Sequence, residues 1–420
     1  MTNRNRRSFV RAASTVGTIG LAGCLGVQWD RTDEEPSTEP EEESSEPEEK
    51  TNYRADLPGE SLETFEELDG WVSMLDGGRL EADRKDPYAG SQSAHLIADE
   101  DDEYAGVYGT LPHGENLRDR NLSLAVKFTG RKQLHLTLEL FAPNSRNAVR
   151  MRRVLVGPAD RWVRVDFGTT RIEGRPDLGD VREFRLRARR RGEDEGPIEC
   201  WIDDLRAVER PDRGKVVLLF DGTLESHHIT ALEYLDSYGF SGVEAVIPEA
   251  VGETGRLTLD QLDELVDSGW DVAARPRTGV QSLPEFSPEE QEGMIGRTAA
   301  WLEHRGFEEG ANHFLTPRNV LGTTTADLVA EYHEQAFRFG GGPNALPVTD
   351  PHNLGFVSGA AGEETNGYVD RAAEYGQLTV LHFEHLGDDG LSEDSFADLL
   401  EHVATRDVDV VTASELLEGV

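Results

Sequence analysis

The chain has 420 residues, longer than one ordinary core, which implies two folded domains plus tails. Its 81 acidic residues against 42 basic ones give a formal net charge of −39, which repels phosphate and excludes nucleic acid as an expected partner, and two cysteines exclude a disulfide scaffold. The acidity runs through folded-looking segments with arginine favoured over lysine, so either a halophilic source, where salt screens the self-repulsion, or a plainly acidic secreted protein fits.

Residues 1–24 read as an address. Paired Arg6 and Arg7 lie in NRRSFVR, before the mild run AASTVGTIGLAG and Cys24. This pattern resembles a twin-arginine export signal, and LAGC resembles a lipobox in which Cys24 becomes the lipidated N-terminus. The alternative is an ordinary signal peptide with an incidental Cys24. The stretch is too short and too rich in glycine and alanine to span a bilayer as a stable helix. Residues 25–52, rich in Pro, Glu and Ser, have almost nothing to bury and read as a disordered acidic tether. Localisation at the outer face of the cytoplasmic membrane follows as the expectation. Cys200 is then the one cysteine left in the body and reads as a small core residue.

Residues 53–210 alternate polar and apolar residues in short runs: LSLAVKFTG, LHLTLELFA, VRMRRVLVG, WVRVDFG, VREFRLRAR and IECWIDDLRAV. Period-two alternation with Gly, Asn, Asp and Pro punctuation predicts an antiparallel β-sandwich. The opening ETFEELDGW, the element GSQSAHLIAD and the closing WIDDLRAV resemble carbohydrate-binding jelly-roll modules. Trp71, Tyr104, Tyr108 and Trp162 are the aromatics that would stack on sugar faces. Against this stands the reading of Trp162 and Trp201 as core anchors in a spacer module. Asn121-Leu122-Ser123 is a glycosylation sequon at a strand start.

In residues 213–420 the pattern changes to short apolar runs alternating with amphipathic helices: VVLLF, VEAVI, WDVAA, NHFLT, FRFGG, LTVLHF and VDVV. About seven such units in roughly 200 residues predict a parallel β/α barrel. Ser287 before Pro288, and Ser392 before Glu393, mark helix starts. Chemistry in a barrel sits where strands run out, which gathers Asp221, Arg275, Pro317 and His382 around one mouth.

The order LFDGTLES, YGF, SGWDVAAR, FLTPRN, LTVLHFEHL and VDVVTASEL resembles the polysaccharide deacetylase family over nearly all of residues 214–420. The resemblance implies a distorted β/α barrel and metal-dependent hydrolysis of N- or O-acyl groups on polysaccharide. Asp221 matches the family's base aspartate and His382 its late general acid. The ligand aspartate is replaced by Gly222, and the two ligand imidazoles by Arg275 and Gly279. Pro317 remains of the third motif without its arginine. A dication needs about three protein ligands and an open position, and Arg275 places a permanent cation where it should sit.

Two reinterpretations follow. In one, Arg275 or Arg277 pairs with Asp221, no cofactor is bound, and the cleft with Pro317, Glu384 and His385 holds glycan without cleaving it. In the other, His227 or His228 joins Asp221, His382 and His385 around a zinc-like metal. A third possibility is a slip of the motif alignment by a residue or two. The competing class is a non-catalytic surface lipoprotein that binds sugars or envelope partners and keeps the barrel as scaffold.

Overall fold

A computed structural model describes residues 57–129, 133–190, 196–387 and 390–419. The expected signal with Arg6, Arg7 and Cys24, and the acidic tether of 25–52, lie outside the described residues. Tyr53–Val420 clusters as one compact unit.

Among the described residues, twelve strands precede residue 210. They are β1 (Glu60–Glu63), β2 (Trp71–Ser73), β3 (Arg79–Asp83), β4 (Ser93–Ala98), β5 (Tyr104–Glu115) and β6 (Arg120–Thr129). There follow β7 (Gln133–Phe141), β8 (Ala148–Val156), β9 (Val163–Phe167), β10 (Thr169–Glu173), β11 (Val181–Arg190) and β12 (Ile198–Glu209). They form two antiparallel sheets, one ordered β3-β4-β12-β6-β9 with β1 on β12, the other β10-β8-β7-β11-β5-β2. Alternation dictates the pairing of faces. In β7, Leu134, Leu136, Leu138 and Leu140 are buried while His135, Thr137 and Glu139 point to the other face. Leu96, Phe128 and Ile202 of one sheet share a core with Leu136, Phe184 and Leu186 of the other. Burying each such side chain contributes about 2 kcal/mol. Every alternating run read from the sequence falls in a strand. The reading lacks β3, β10 and β5, in the last of which Gly106, Gly109, Pro112 and Gly114 interrupt the alternation. Cys200 is fully buried in this core, and burial pushes its thiol up.

The sequon at Asn121 is corrected by the structure. Its side chain is buried and its Nδ2 donates to the carbonyls of Leu346 (2.9 Å) and Gly376 (3.0 Å), so the folded chain offers no amide to a glycan.

The remaining strands are β13 (Gly214–Asp221), β14 (Val243–Val246), β15 (Asp271–Ala274), β16 (His313–Leu315), β17 (Gln335–Phe339), β18 (Leu354–Ser358), β19 (Leu378–Phe383) and β20 (Val408–Val410). The first seven close into a parallel barrel through pairing of β13 with both β14 and β19, and β20 adds to β13 outside the ring. The reading therefore counted VDVV as a barrel strand and omitted β18, whose Gly355 breaks its apolar run. Helices α1 (Glu233–Tyr238), α2 (Leu259–Asp267), α3 (Pro288–Arg305), α4 (Thr323–Tyr332), α5 (Glu363–Tyr375), α6 (Glu393–Ala404) and α7 (Ala413–Glu418) complete the unit. Val217 and Leu219 of β13 pack with Phe337, Phe356 and Val380, while Leu218 and Phe220 pack with Leu235, Leu262 and Phe396 of the helices. Ser287 and Ser392 cap α3 and α6, accepting from the amides of Glu290 and Ser395.

Sheets and barrel meet along a buried polar seam. Val154 N donates to Gly340 O (2.8 Å) and Leu321 N to Val156 O (3.0 Å). Arg153, fully buried, enters the barrel wall and donates to Asn344 Oδ1 (2.7 Å) and to the Asn353 carbonyl. Glycine makes room for it: a Cβ on Gly355 would lie 1.8 Å from Arg153 Nη1, and one on Gly340 2.7 Å. Arg338 is buried beside it and donates to Asn353 Oδ1 (2.7 Å) and Gly157 O. Burial depresses Arg153 to about 10 and Arg338 to about 9. Asp166, from β9, accepts from Thr349 Oγ1 (2.6 Å) and Thr349 N (2.9 Å).

Candidate functional site

The C-terminal ends of the barrel strands bring the expected residues together. Asp221 closes β13, Arg275 follows β15, and His382 lies in β19 ahead of Glu384 and His385. Arg275 Nε forms an ion pair with Asp221 Oδ1, and His382 Nε2 lies 3.6 Å from Asp221 Oδ2. All three side chains are 12–18% exposed. The His382 ring stacks on Phe356 of β18, centroids 4.2 Å apart and planes at 14°. Burial raises the Asp221 carboxyl, but His382 and Arg275 outweigh it and hold the group below its ordinary range. Beside this cluster a cavity of about 530 Å³ is lined by Ser358, Gly359, His382, Glu384 and His385 among others.

The turn after Asp221 is built for glycine. Gly222 has φ +113° and buried Thr223 has φ +58°. Thr223 is held there because its amide donates to Glu244 Oε1 (3.0 Å) and its Oγ1 accepts from Ile247 N (2.8 Å). Restoring a carboxylate at 222 would therefore strain the backbone, although a Cβ there meets nothing closer than 3.4 Å.

The chain then enters a π-helical turn, His227–Leu232. The two histidines offered as alternative metal ligands, His227 and His228, part company here. His227 is fully buried, with Nδ1 2.6 Å from Glu244 Oε2 and Nε2 2.7 Å from the Glu384 carbonyl. Nε2 must donate to that carbonyl, so one further proton is shared between Nδ1 and Glu244. Desolvation opposes a charged His227, yet Glu244 outweighs it and raises the imidazole, while burial raises Glu244 itself; the pair keeps its proton. Both ring nitrogens are thus engaged. His228 turns away to α2, its Nε2 2.6 Å from Glu264 Oε2.

Arg277 does not reach Asp221. It is exposed, 2.9 Å from Glu253 Oε1. Pro317 is buried at the start of the turn after β16, where Arg318 takes φ +57° and donates to Gly279 O. Of the sheet aromatics, Trp71 is buried against Phe65 and donates to Glu63 Oε2 (2.9 Å), which removes it as a sugar platform. Trp162 packs on Tyr88 and under Lys127, and Trp201 stacks on His95. Tyr104 and Tyr108 are half-buried on the outer face of the other sheet. The sequence reading missed Glu244 and Phe356. Glu244 carried a legible signal, a charge inside the apolar run VEAVI.

Asp221, His382 and Glu384 each bring a donor atom, all within 4.8 Å of one another. Imidazole and carboxylates suit a zinc-like cation. The arrangement nevertheless does not fit a dication as it stands, because the Arg275 guanidinium already lies on one Asp221 oxygen.

No protein-family model matches the chain, and no curated protein matches it. Among solved structures it is similar to the Xyl-CE4 domain of a multidomain xylanase from the hindgut metagenome of Trinervitermes trinervoides, at 18% identity over 49% of this chain and 91% of that one, with a TM-score of 0.37. It is also similar to a family 4 carbohydrate esterase from Streptomyces lividans, at 16% identity over 49% and 88%, with a TM-score of 0.33. A third is a CE4 family pseudoenzyme from Bacillus anthracis, at 13% identity over 49% and 66%, with a TM-score of 0.37.

Proposed function

We propose that the barrel mouth is a sugar-chain cleft of the polysaccharide deacetylase type, in which Arg275 takes the place of a metal and polysaccharide is held without hydrolysis. The Asp221–Arg275 ion pair carries this reading. A carboxyl held low by His382 and a guanidinium is a poor proton acceptor, and a guanidinium does not lower the pKa of water as a bound dication does. What the mouth retains is polar and open: Ser358, His382, Glu384 and His385 offer donors and acceptors along a cavity wide enough for a sugar. On the same reading the chain is exported by its twin-arginine segment and held at the outer membrane face by lipid on Cys24, and Cys24→Ser would release it from the membrane fraction.

The convergence of Asp221, His382 and Glu384 favours a second reading, a hydrolase in which these three hold a metal, with Asp221 as base and His382 as acid. The full chain incubated with zinc and with acetylated xylo-oligosaccharides or N-acetylglucosamine oligomers separates the two. The proposed reading expects binding, substoichiometric zinc and no acetate. Acetate release proportional to bound zinc would replace it with the second.

A further inference from the structure

The outward face of the β10-β8-β7-β11-β5-β2 sheet carries an array that the barrel mouth does not explain. Strand register sets Arg150, Glu139 and Arg185 in one row, and Arg152, Thr137 and Arg187 in the next. Glu139 is 1% exposed and accepts from Arg150 Nε (2.9 Å), Arg185 Nε (2.6 Å) and Arg187 Nη2 (3.0 Å). Burial raises its carboxyl, but the three guanidiniums prevail and hold it low. Arg171 and Arg189 extend the array on β10 and β11.

Six arginines thus face three carboxylates on the strands themselves, Glu139, Glu173 and Glu183. Two more, Glu103 and Glu364, reach Arg189 and Arg152 from the rim. Each is 73% exposed, and such pairs contribute little and exchange readily. In a chain of net charge −39 this face is a local reversal of sign. The guanidinium planes are also fixed: Arg185 lies over Phe141 (4.9 Å), and Arg187 and Arg189 over Tyr104 (5.9 and 5.4 Å). Buried Glu139 acts as a pin that keeps Arg150, Arg185 and Arg187 from repelling one another, and Glu173 on β10 holds Arg150 and Arg171 (3.2 and 3.5 Å) at the strand edge.

Arg152 is the corner. Its Nε donates to Gly341 O (2.9 Å) and its Nη2 to Tyr368 Oη (3.1 Å). It lines a groove of about 290 Å³ with Phe339, Glu364 and Tyr368, and that groove shares Ser358 and Ala360 with the cavity of the mouth. Arginine face, groove and mouth form one track.

We infer that this track binds an anionic polysaccharide, one whose sugars bear carboxylate or sulfate groups, running from the arginine face past Arg152 into the mouth. The fork of a guanidinium matches a planar or tetrahedral oxyanion with two parallel hydrogen bonds, and arginine in rows repeats that match along a polymer. A nucleic acid presents a comparable charge, and it is the end of the track among the hydrogen-bonding groups of Ser358, Glu384 and His385 that favours a sugar chain. The inference rests on the sugar-chain reading of the mouth only for where the track ends.

The test uses the full chain, titrated with polygalacturonate, dextran sulfate and neutral xylo-oligosaccharides. Polygalacturonate or dextran sulfate is expected to bind at least tenfold more tightly than the neutral chain, and whichever does so identifies the anion. The double variant Arg185→Gln/Arg187→Gln should weaken that binding tenfold or more and leave neutral binding unchanged. Thr137→Glu, which keeps every arginine and adds a carboxylate between Arg152 and Arg187, should do the same. Polyanions bound no better than xylo-oligosaccharide, or both variants binding as the native chain does, would overturn the inference, as would single-stranded DNA competing equally. Should neutral oligosaccharide fail to bind while polyanion binding still responds to these variants, the mouth reading falls and the arginine track stands.

Discussion

Arginine meets the barrel in two places, and the two settings are opposites. In the seam, Arg153 and Arg338 are fully enclosed, depressed by desolvation, and satisfied mainly by the neutral groups of Asn344, Asn353 and Gly157. At the mouth, Arg275 is 18% exposed and answers a single carboxylate, Asp221. An enclosed cation held by amides cannot leave without exposing unpaired acceptors, so it serves assembly. An ion pair left 12–18% exposed at an open mouth can trade partners with a ligand, which is the part the proposed reading gives it. The difference separates residues whose loss unfolds the chain from residues whose loss alters what it binds.

That contrast can be broken most directly at the seam. Arg153→Ala takes the donor from the Asn353 carbonyl and one of two donors from Asn344 Oδ1, leaves a void between Gly340 and Gly355, and should cost about 3 kcal/mol or more. A fall in the urea midpoint at constant slope measures it, and an unchanged midpoint would remove the distinction. Gly355→Ala should act in the same direction, since its Cβ would strike Arg153.

A pH titration sharpens it next. His313 and His333, buried near each other in the barrel region, are both pushed down to about 4 by desolvation from 6.5. Lowered imidazoles favour the neutral folded form, so their contribution is present above 6.5 and is lost as pH falls toward 4. At 1.36 kcal/mol per unit the loss is up to about 3 kcal/mol each. Asp221 is a carboxyl held below 3.8, so its contribution is lost only at still lower pH. Thermal melts between pH 7 and 4 should show a steep acid limb that His333→Gln flattens and Asp221→Asn leaves alone.

At the mouth, Arg275→Ala should cost less than the seam variant, since His382 stays beside Asp221 and can answer its charge, but should create zinc binding at Asp221, His382 and Glu384 that calorimetry should not find in the native chain. Zinc taken up equally by both proteins would end the view that Arg275 fills the metal's place. The smallest effect is expected at the rim, where Arg161 pairs with Asp327, 65% exposed. Asp327→Asn should shift stability by no more than about 0.5 kcal/mol in differential scanning calorimetry.

Much of the fold was legible because alternation and amphipathic spacing are local. VRMRRVLVG and LTVLHF could be assigned from their own residues. β5 and β18 were lost where glycine and proline interrupt the period, although backbone pairing still forms there. At the site, the pairing of Asp221 with Arg275 was readable, since strand ends converge in a barrel and the two motifs were in order. The pairing of His227 with Glu244 was not readable, since the two lie on different elements and no residue in SHHIT announces the π-helical turn that opens at His227. Arg153 was invisible for a different reason. In VRMRRVLV it takes the inward-facing place that Met151 and Leu155 take on either side, where a charge reads only as a break in the alternation, and the room for it is made by two glycines some 190 and 200 positions later.

Those two glycines also bear on how such a chain can be inherited. A sugar-binding sheet region that merely adjoined a barrel could be cut out and joined to another partner with little loss. Here the wall of the barrel has given up two side chains to admit an arginine from the sheets, and each side holds half of a fitting that is useless alone. Fragments beginning near residue 213 should be recovered poorly, and recombination between homologous chains should be tolerated at the ends of Tyr53–Val420 and not at its middle. The seam makes the molecule one unit of heredity as well as one unit of folding.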